Sequence, residues 1–328
     1  MTLPSSALTA APSPALPAWS RRRFLQAAAV TASGSVLAHG VSAQPPQPKT
    51  GWIDAHVHVW TPDTERYRLA SGFQTADMQP PSFTDEELLA HCQPEGVDRV
   101  VLIQMVFYGV DNRYMLDVIA ARPQTFVGVG IVDPYAEGVA QTLKDLVRQG
   151  VRGLRIHPAD GEAKGWTNNE AMLNLWRTAR DQGVAICPLI NPVDLPYVDA
   201  MCAKLPGLTV VVDHFARIGI DGNVTEPQLE ALCKLARYPN VYVKTSAFYA
   251  LGQRRAPHLD LAPLIRRVLD AFGPQRLMWG SDCPYQVQEG HTYQDSIALI
   301  RDRLDFLSTG DRETILRGTA ESVFFAAR

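Results

Sequence analysis

Eight short apolar runs, each followed by a stretch with helical spacing, predict an α/β protein built as one (β/α)8 barrel, a TIM barrel in a single domain. Two further observations point the same way. The repeating part spans about 280 residues, the length of such a barrel. No glycine-rich phosphate loop follows any of the strands, which weighs against an open, doubly wound sheet.

The first strand is expected over residues 52–60, which are apolar, partly β-branched and entered from the turn-like 48–51. A polar loop over 61–81 follows. Thr84 then opens a helix with Glu87 three residues on, the spacing of a capping box. Further strands are expected at 99–105, 126–132, 151–156, 184–190, 208–213, 241–246 and 276–279. Between them helices are expected at 113–122, stopped by Pro123, at 136–149, closed by Gly150, and at 169–182, closed by Gly183. The remaining ones lie at 195–205, 228–237 and 261–272, the last closed by Gly273, and helices from Tyr293 onward finish the chain. No internal repeat, linker or low-complexity segment follows residue 48.

The N-terminus reads as separate from this unit. Ser20-Arg21-Arg22-Arg23-Phe24-Leu25 precedes a run of small apolar residues from 27 to 38, then Val41-Ser42-Ala43. That order, basic then apolar then small-x-small, is that of a secretory signal, and the arginine pair is of the twin-arginine type. Residues 1–43 are therefore expected to be a signal peptide cleaved near Ala43 and handled by the twin-arginine export machinery, with 44–50 a short linker and 51–328 the barrel. The expected location is periplasmic. No apolar run after residue 45 reaches membrane-spanning length, so no stable membrane insertion is expected after cleavage.

Composition narrows the function. The chain has 328 residues, 46% hydrophobic and 20% charged, with a net charge of −3, and its one block of basic residues lies at the extreme N-terminus. Nucleic-acid binding has no electrostatic support. Five cysteines, with no C-x-x-C pair, suggest neither a disulfide framework nor a cysteine zinc site. A homo-oligomer is compatible with all of this.

Barrel enzymes carry their chemistry at the C-terminal ends of the strands. There this chain places His56 and His58, then Gln104 with Tyr108, then Asp133, Arg155 with His157, and Asn191. The later strands add Asp213-His214 with Arg217, then Lys244, Ser246 and Tyr249, then Ser281-Asp282. Side chains two apart on a strand share a face, so His56 and His58 should project together with Asp54 one step behind. Neutral imidazoles and a carboxylate suit a divalent ion, and His56, His58, His214 and Asp282 form a plausible ligand set for mononuclear zinc or a similar cation. Asp282 is also placed to act as general base on water. Each member taken alone is as compatible with a strand histidine bonded to backbone, or with a capping aspartate. Agreement across strands one, six and eight favours a site. His157 is a second candidate ligand. His91 reads as a helix-surface residue, and His258 and His291 as loop residues.

Four segments carry a resemblance to the amidohydrolase superfamily, in its lactonase branch. They are Asp54-Ala55-His56-Val57-His58, Val212-Asp213-His214, Tyr242-Val243-Lys244-Thr245-Ser246, and Leu277-Met278-Trp279-Gly280-Ser281-Asp282-Cys283-Pro284. Gln104 with Tyr108-Gly109-x-Asp111-Asn112 resembles the pyrone dicarboxylate lactonases and sulfomuconolactone hydrolases. The resemblance spans about residues 51–325. It implies a distorted (β/α)8 barrel and hydrolysis of a lactone ester, with Asp282 and His214 catalytic and Asp282 shuttling the proton. Relatives differ in using one zinc or no metal. Strand five here ends without a histidine and strand four without a carboxylatable lysine, so a binuclear centre is not expected. An anionic lactone from aromatic breakdown, of the muconolactone, sulfomuconolactone or pyrone dicarboxylate type, would call on Arg155, Arg217, Arg254 and Arg255 for its charge and on Tyr108 and Tyr249 for hydrogen bonds. Two other readings compete: a metal-dependent decarboxylase of a carboxylated aromatic or muconate compound, and a catalytically silent binding protein.

Overall fold

The computed structural model describes residues 50–159 and 161–326. The segment read as a signal peptide, and the linker through residue 49, lie outside the described residues. Eight strands form one parallel sheet in chain order: β1 (Trp52–Val57), β2 (Val97–Ile103), β3 (Phe126–Gly130), β4 (Val151–Ile156), β5 (Ala185–Pro188), β6 (Val210–Val212), β7 (Val241–Ser246) and β8 (Leu277–Gly280). The ring closes at its mouth through a parallel bridge between Val57 and Cys283. There His58 N donates to Cys283 O at 2.8 Å and Asp282 N to His56 O at 2.8 Å. The expected distorted barrel is the fold.

Helices α1 (Asp85–Cys92), α2 (Arg113–Ala121), α3 (Val139–Arg148), α4 (Glu170–Asp181), α5 (Leu195–Lys204), α6 (Glu226–Lys234) and α7 (Ala262–Phe272) alternate with the strands. Local signals set their ends. Thr84 Oγ1 accepts from Glu87 N at 3.3 Å while Glu87 Oε2 accepts from Thr84 N at 2.6 Å, the reciprocal box expected there. Helix α3 begins later than expected from residue 136, because Gly138 takes a left-handed φ of 74° just before it. The chain ends in α8 (Tyr293–Ala298), α9 (Thr309–Glu313) and wider helical turns.

Two apolar layers follow from strand alternation. The outward residues Val100, Leu102, Val210, Val212 and Trp279 pack against the helices. The inward residues Ile53, Ala55, Val101, Ile103, Val129, Cys187, Val211 and Met278 fill the barrel, and Ala320, Val323 and Phe324 of the C-terminal segment pack with them. That segment therefore plugs the barrel from below.

Strict alternation cannot put Ile53, Ala55, His56 and His58 all inside. The pairing of β1 with β2 slips between Asp54 and Val57, and the slip resolves the conflict. One expectation is corrected here. Asp54 does not stand behind the imidazoles. Its Oδ1 accepts from Ser281 N at 2.9 Å and His56 N at 3.1 Å, and its Oδ2 from the Tyr293 hydroxyl at 2.7 Å, which pins β1 to β8. Burial still raises this carboxyl to about 6, against those three bonds.

Gly280 allows the seam to close. A Cβ there would lie 2.8 Å from His56 Cβ and 2.9 Å from His56 N, closer than packed atoms allow. Gly280→Ala should therefore cost about 1–3 kcal/mol of stability, in the range of an overpacked core. Urea denaturation of purified protein measures it, and a midpoint equal to that of the parent would refute this account of the glycine.

Candidate active site and metal-ligand group

Strand β6 ends in an unusual turn. His214, Phe215, Ala216 and Arg217 all adopt positive φ, between 50° and 59°, with no glycine among them. A left-handed conformation costs about 1–2 kcal/mol per non-glycine residue, so tertiary contacts must hold the turn. Phe215 and Ala216 are fully buried, which supplies the hold. The turn swings His214 inward, where its Nδ1 meets Ser246 Oγ of β7 at 2.8 Å.

Above the apolar plug lies a layer of charge. Asp213 and Lys244 are fully buried, with Lys244 Nζ 3.0 Å from Asp213 Oδ1. Arg155 Nη2 donates to Asp213 Oδ2 at 3.1 Å, and His56 Nδ1 lies 3.3 Å from Asp213 Oδ1. Burial alone would raise the Asp213 carboxyl, but Lys244, His56 and Arg155 outweigh it and hold it well below the usual carboxylate range. Below the layer, Lys244 Nζ sits 5.8 Å from the centroid of the Phe324 ring.

One storey higher, His56, His58 and Asp282 bring one donor atom each within 4.8 Å of one another, the group among the described residues suited to holding a metal ion. His58 Nε2 lies 3.3 Å, and His56 Nε2 3.5 Å, from Asp282 Oδ1. Second contacts on the two imidazoles direct a lone pair toward the group. His58 Nδ1 is 2.9 Å from the Ile103 carbonyl, which favours the tautomer with its lone pair on Nε2. The Asp213 carboxylate plays the same part for His56. His214, the fourth expected ligand, stands beside the group, with Nε2 3.8 Å from Asp282 Oδ2 and its ring centroid 4.2 Å from that of His56.

The protonation states suit a metal or a general base. Burial lowers His214 to about 4, and burial with Lys244 and His214 nearby holds His56 well below its ordinary value, so both rings are neutral at pH 7. Burial works to raise Asp282, but His214, His58 and His56 outweigh it and keep the carboxyl below the usual range. The Tyr249 hydroxyl donates to Asp282 Oδ2 at 2.8 Å, and burial and the carboxylate together push its own pKa far up.

A cavity of about 290 Å³ opens onto Asp282, His58 and His214. Its walls include Arg155, His157, Arg217, Tyr249 and Tyr285, with Met105, Leu189 and Leu251 as apolar faces. Of the residues expected to meet substrate, Arg155, Arg217 and Tyr249 thus line it. Tyr108 and Arg254 do not. The Tyr108 hydroxyl is taken up by the Thr61 backbone, 3.4 Å from its N, and Arg254 is exposed and donates to the Ile220 carbonyl. Arg255 is exposed as well. The loop after β2 is held by its own polar residues: Gln104 Nε2 donates to Asp111 O at 2.8 Å, and Asn112 Nδ2 to Ile131 O at 2.8 Å. His157 lines the cavity outside the ligand group. His258 is buried and stacks on His291 with ring centroids 5.6 Å apart, and neither lines the cavity.

Three residues gain a role that the sequence did not assign: Asp213, Lys244 and Tyr285. For Lys244 the signal was a lone lysine inside an apolar strand, a placement that demands a buried counter-charge. Lys244→Met should leave Asp213 short of a cation in a dry interior and cost about 3–5 kcal/mol, the scale of a broken buried ion pair. Urea denaturation reads this directly, and a loss under about 1 kcal/mol, the scale of an exposed pair, would contradict it.

Comparison with known proteins agrees with this geometry. Residues 53–326 match the amidohydrolase family. An L-fucono-1,5-lactonase of Burkholderia ambifaria is 31% identical, with 73% of this chain and 82% of that protein covered. A 4-sulfomuconolactone hydrolase of Rhizobium radiobacter is 26% identical, covering 73% and 77%. Among solved structures, an amidohydrolase of Burkholderia multivorans with bound zinc superposes with a TM-score of 0.73 at 22% identity, covering 84% of this chain and 99% of that one. With strand-end histidines, a β8 aspartate and a family match over nearly the whole barrel, the chain belongs to the amidohydrolase family.

Proposed function

We propose that this protein is a lactone hydrolase that opens the ester of a small anionic ring, of the kind produced in aromatic-compound breakdown. The observation that carries the reading is the position of Asp282. It is a buried, ionised carboxylate at the floor of a small cavity, aimed by Tyr249, with Arg217 and Arg155 in the wall above. Two relatives named as lactone hydrolases support the ester chemistry. The arginines support the anion: a guanidinium matches a carboxylate or sulfonate in forked geometry. Arg217 is the freer of the two, with one long bond of 3.5 Å from Nη1 to Asn191 Oδ1, whereas Arg155 is engaged with Asp213.

In the reaction, Asp282 takes a proton from water as the water oxygen attacks the lactone carbonyl. The ring C–O bond then breaks, and the same proton passes to the departing ring oxygen, leaving a free acid and a hydroxyl or its keto tautomer. His58 and His214 line the cavity beside Asp282, and His214, lowered to about 4 by burial, is neutral at pH 7 and adds no positive charge there. The donor set fits one divalent ion, zinc by its nitrogen and oxygen ligands, which when bound would polarise the carbonyl and lower the pKa of water.

The test is an ultraviolet assay of ring opening, with parallel detection of carbon dioxide, on sulfomuconolactone, 2-pyrone-4,6-dicarboxylate and L-fucono-1,5-lactone. Ring loss on the anionic lactones without carbon dioxide is expected. Carbon dioxide from an intact ring would replace this reading with a decarboxylase. Asp282→Asn should lower kcat by about 10²–10⁴-fold with the fold retained by circular dichroism, the range for loss of a general base. Near-parent turnover would remove Asp282 from that role. Arg217→Met should raise KM for anionic lactones at least tenfold and leave that for the uncharged sugar lactone unchanged, and equal effects on both would argue against charge recognition.

The N-terminal pattern supports export to the periplasm in the same reading. Replacing Arg21 and Arg22 together with lysine should retain the protein in the cytoplasm on fractionation, and unchanged export would exclude the twin-arginine route.

A further inference from the structure

Both ring nitrogens of His56 are faced by a cation. Lys244 Nζ lies 3.1 Å from Nδ1, and Arg155 Nη2 lies 3.4 Å from Nε2 with its N–H directed at that nitrogen. The two contacts differ in consequence. On the Nδ1 side the lysine charge is shared with Asp213, which also faces Nδ1 and can take its proton in a hydrogen bond. On the Nε2 side the guanidinium points at the lone pair that His56 would offer to a metal alongside His58 and Asp282. A zinc–nitrogen bond is about 2.0–2.1 Å long, so an ion there would sit within a few ångströms of a fixed positive charge. Arg155 cannot step aside freely. It is buried, and its Nη2 is bonded to Asp213, itself fully enclosed.

We infer that Arg155 competes with a divalent cation for His56 Nε2, and so acts as a brake on the metal affinity of the His56–His58–Asp282 group. This rests on the reading of those three residues as ligands and does not depend on the substrate. The same guanidinium lines the cavity, so one side chain faces both the metal position and the space above it. Asp213 is the pivot. It holds Arg155 toward His56 while supplying the acceptor that would make His56 Nδ1–H a good back-up to ligation.

The experiment is equilibrium dialysis of the purified full barrel against buffered Zn²⁺, with bound metal counted by atomic emission. Arg155→Gln keeps a polar side chain for Asp213 and removes the charge. It should bind zinc at least tenfold more tightly than the parent. Equal or weaker binding overturns the inference. Adding His58→Ala to Arg155→Gln should abolish the gain, and a gain that survives places the metal elsewhere and overturns it too. Should Arg155→Gln lose its fold by circular dichroism, Arg155→Lys, which keeps the Asp213 pair with a shorter reach, is read the same way, with at least threefold tightening expected and none overturning it. If neither parent nor variant retains zinc, the inference and the ligand reading fall together. Turnover of the lactone panel by chelator-treated protein, measured alongside, then shows whether the proposed reaction stands without them.

Discussion

The molecule is organised around one buried carboxylate. Asp213, just past the end of β6, has no exposure, and Lys244, Arg155 and His56 converge on it. A lone ion in such a place costs several kcal/mol, and only close, multiple partners offset the loss of water. Apolar plug below and cavity above leave few other arrangements for these side chains. The layer therefore acts as a rigid floor, and the orientation of His56 follows from it rather than from strand β1 alone.

Two departures from regular backbone let the floor meet the chemistry. The slip in β1 turns His56 and His58 inward after Ile53 and Ala55 have already used that face, and frees Asp54 to lock the β1–β8 seam. The left-handed turn after β6 delivers His214 to Ser246 and Arg217 to the cavity wall. Asp282 likewise carries a φ of 66°. Backbone strain is thus gathered at the strand ends that hold the site, a pattern expected where geometry matters more than local comfort.

The electrostatic logic separates two tasks. The lower layer concentrates positive charge on Asp213, while the upper one sets the neutral rings of His56 and His214 beside an ionised Asp282. Arg155 belongs to both layers through Asp213 and His56. This one buried cation faces both the His56–His58–Asp282 group and the cavity, so its charge acts on both at close range.

Periodicity, capping residues and strand-end chemistry were enough to read the barrel, its element order and the convergence of His56, His58 and Asp282. These are local or additive signals: alternation places a face, a capping box starts a helix, and a closed barrel brings its first and last strands together. The parts decided by the tertiary structure are those in which distant segments overrule local preference. No glycine marked the turn from His214 to Arg217, so its positive φ values come from packing of Phe215 and Ala216. Alternation placed Asp54 with the histidines, and the Ser281 and Tyr293 donors drew it to the seam. Tyr108 and Arg254 shared the residue type of a substrate contact, yet nearby carbonyls and amides claimed them first. Which polar side chain meets substrate and which meets backbone is a competition settled by distance, and distance between segments is a property of the folded chain.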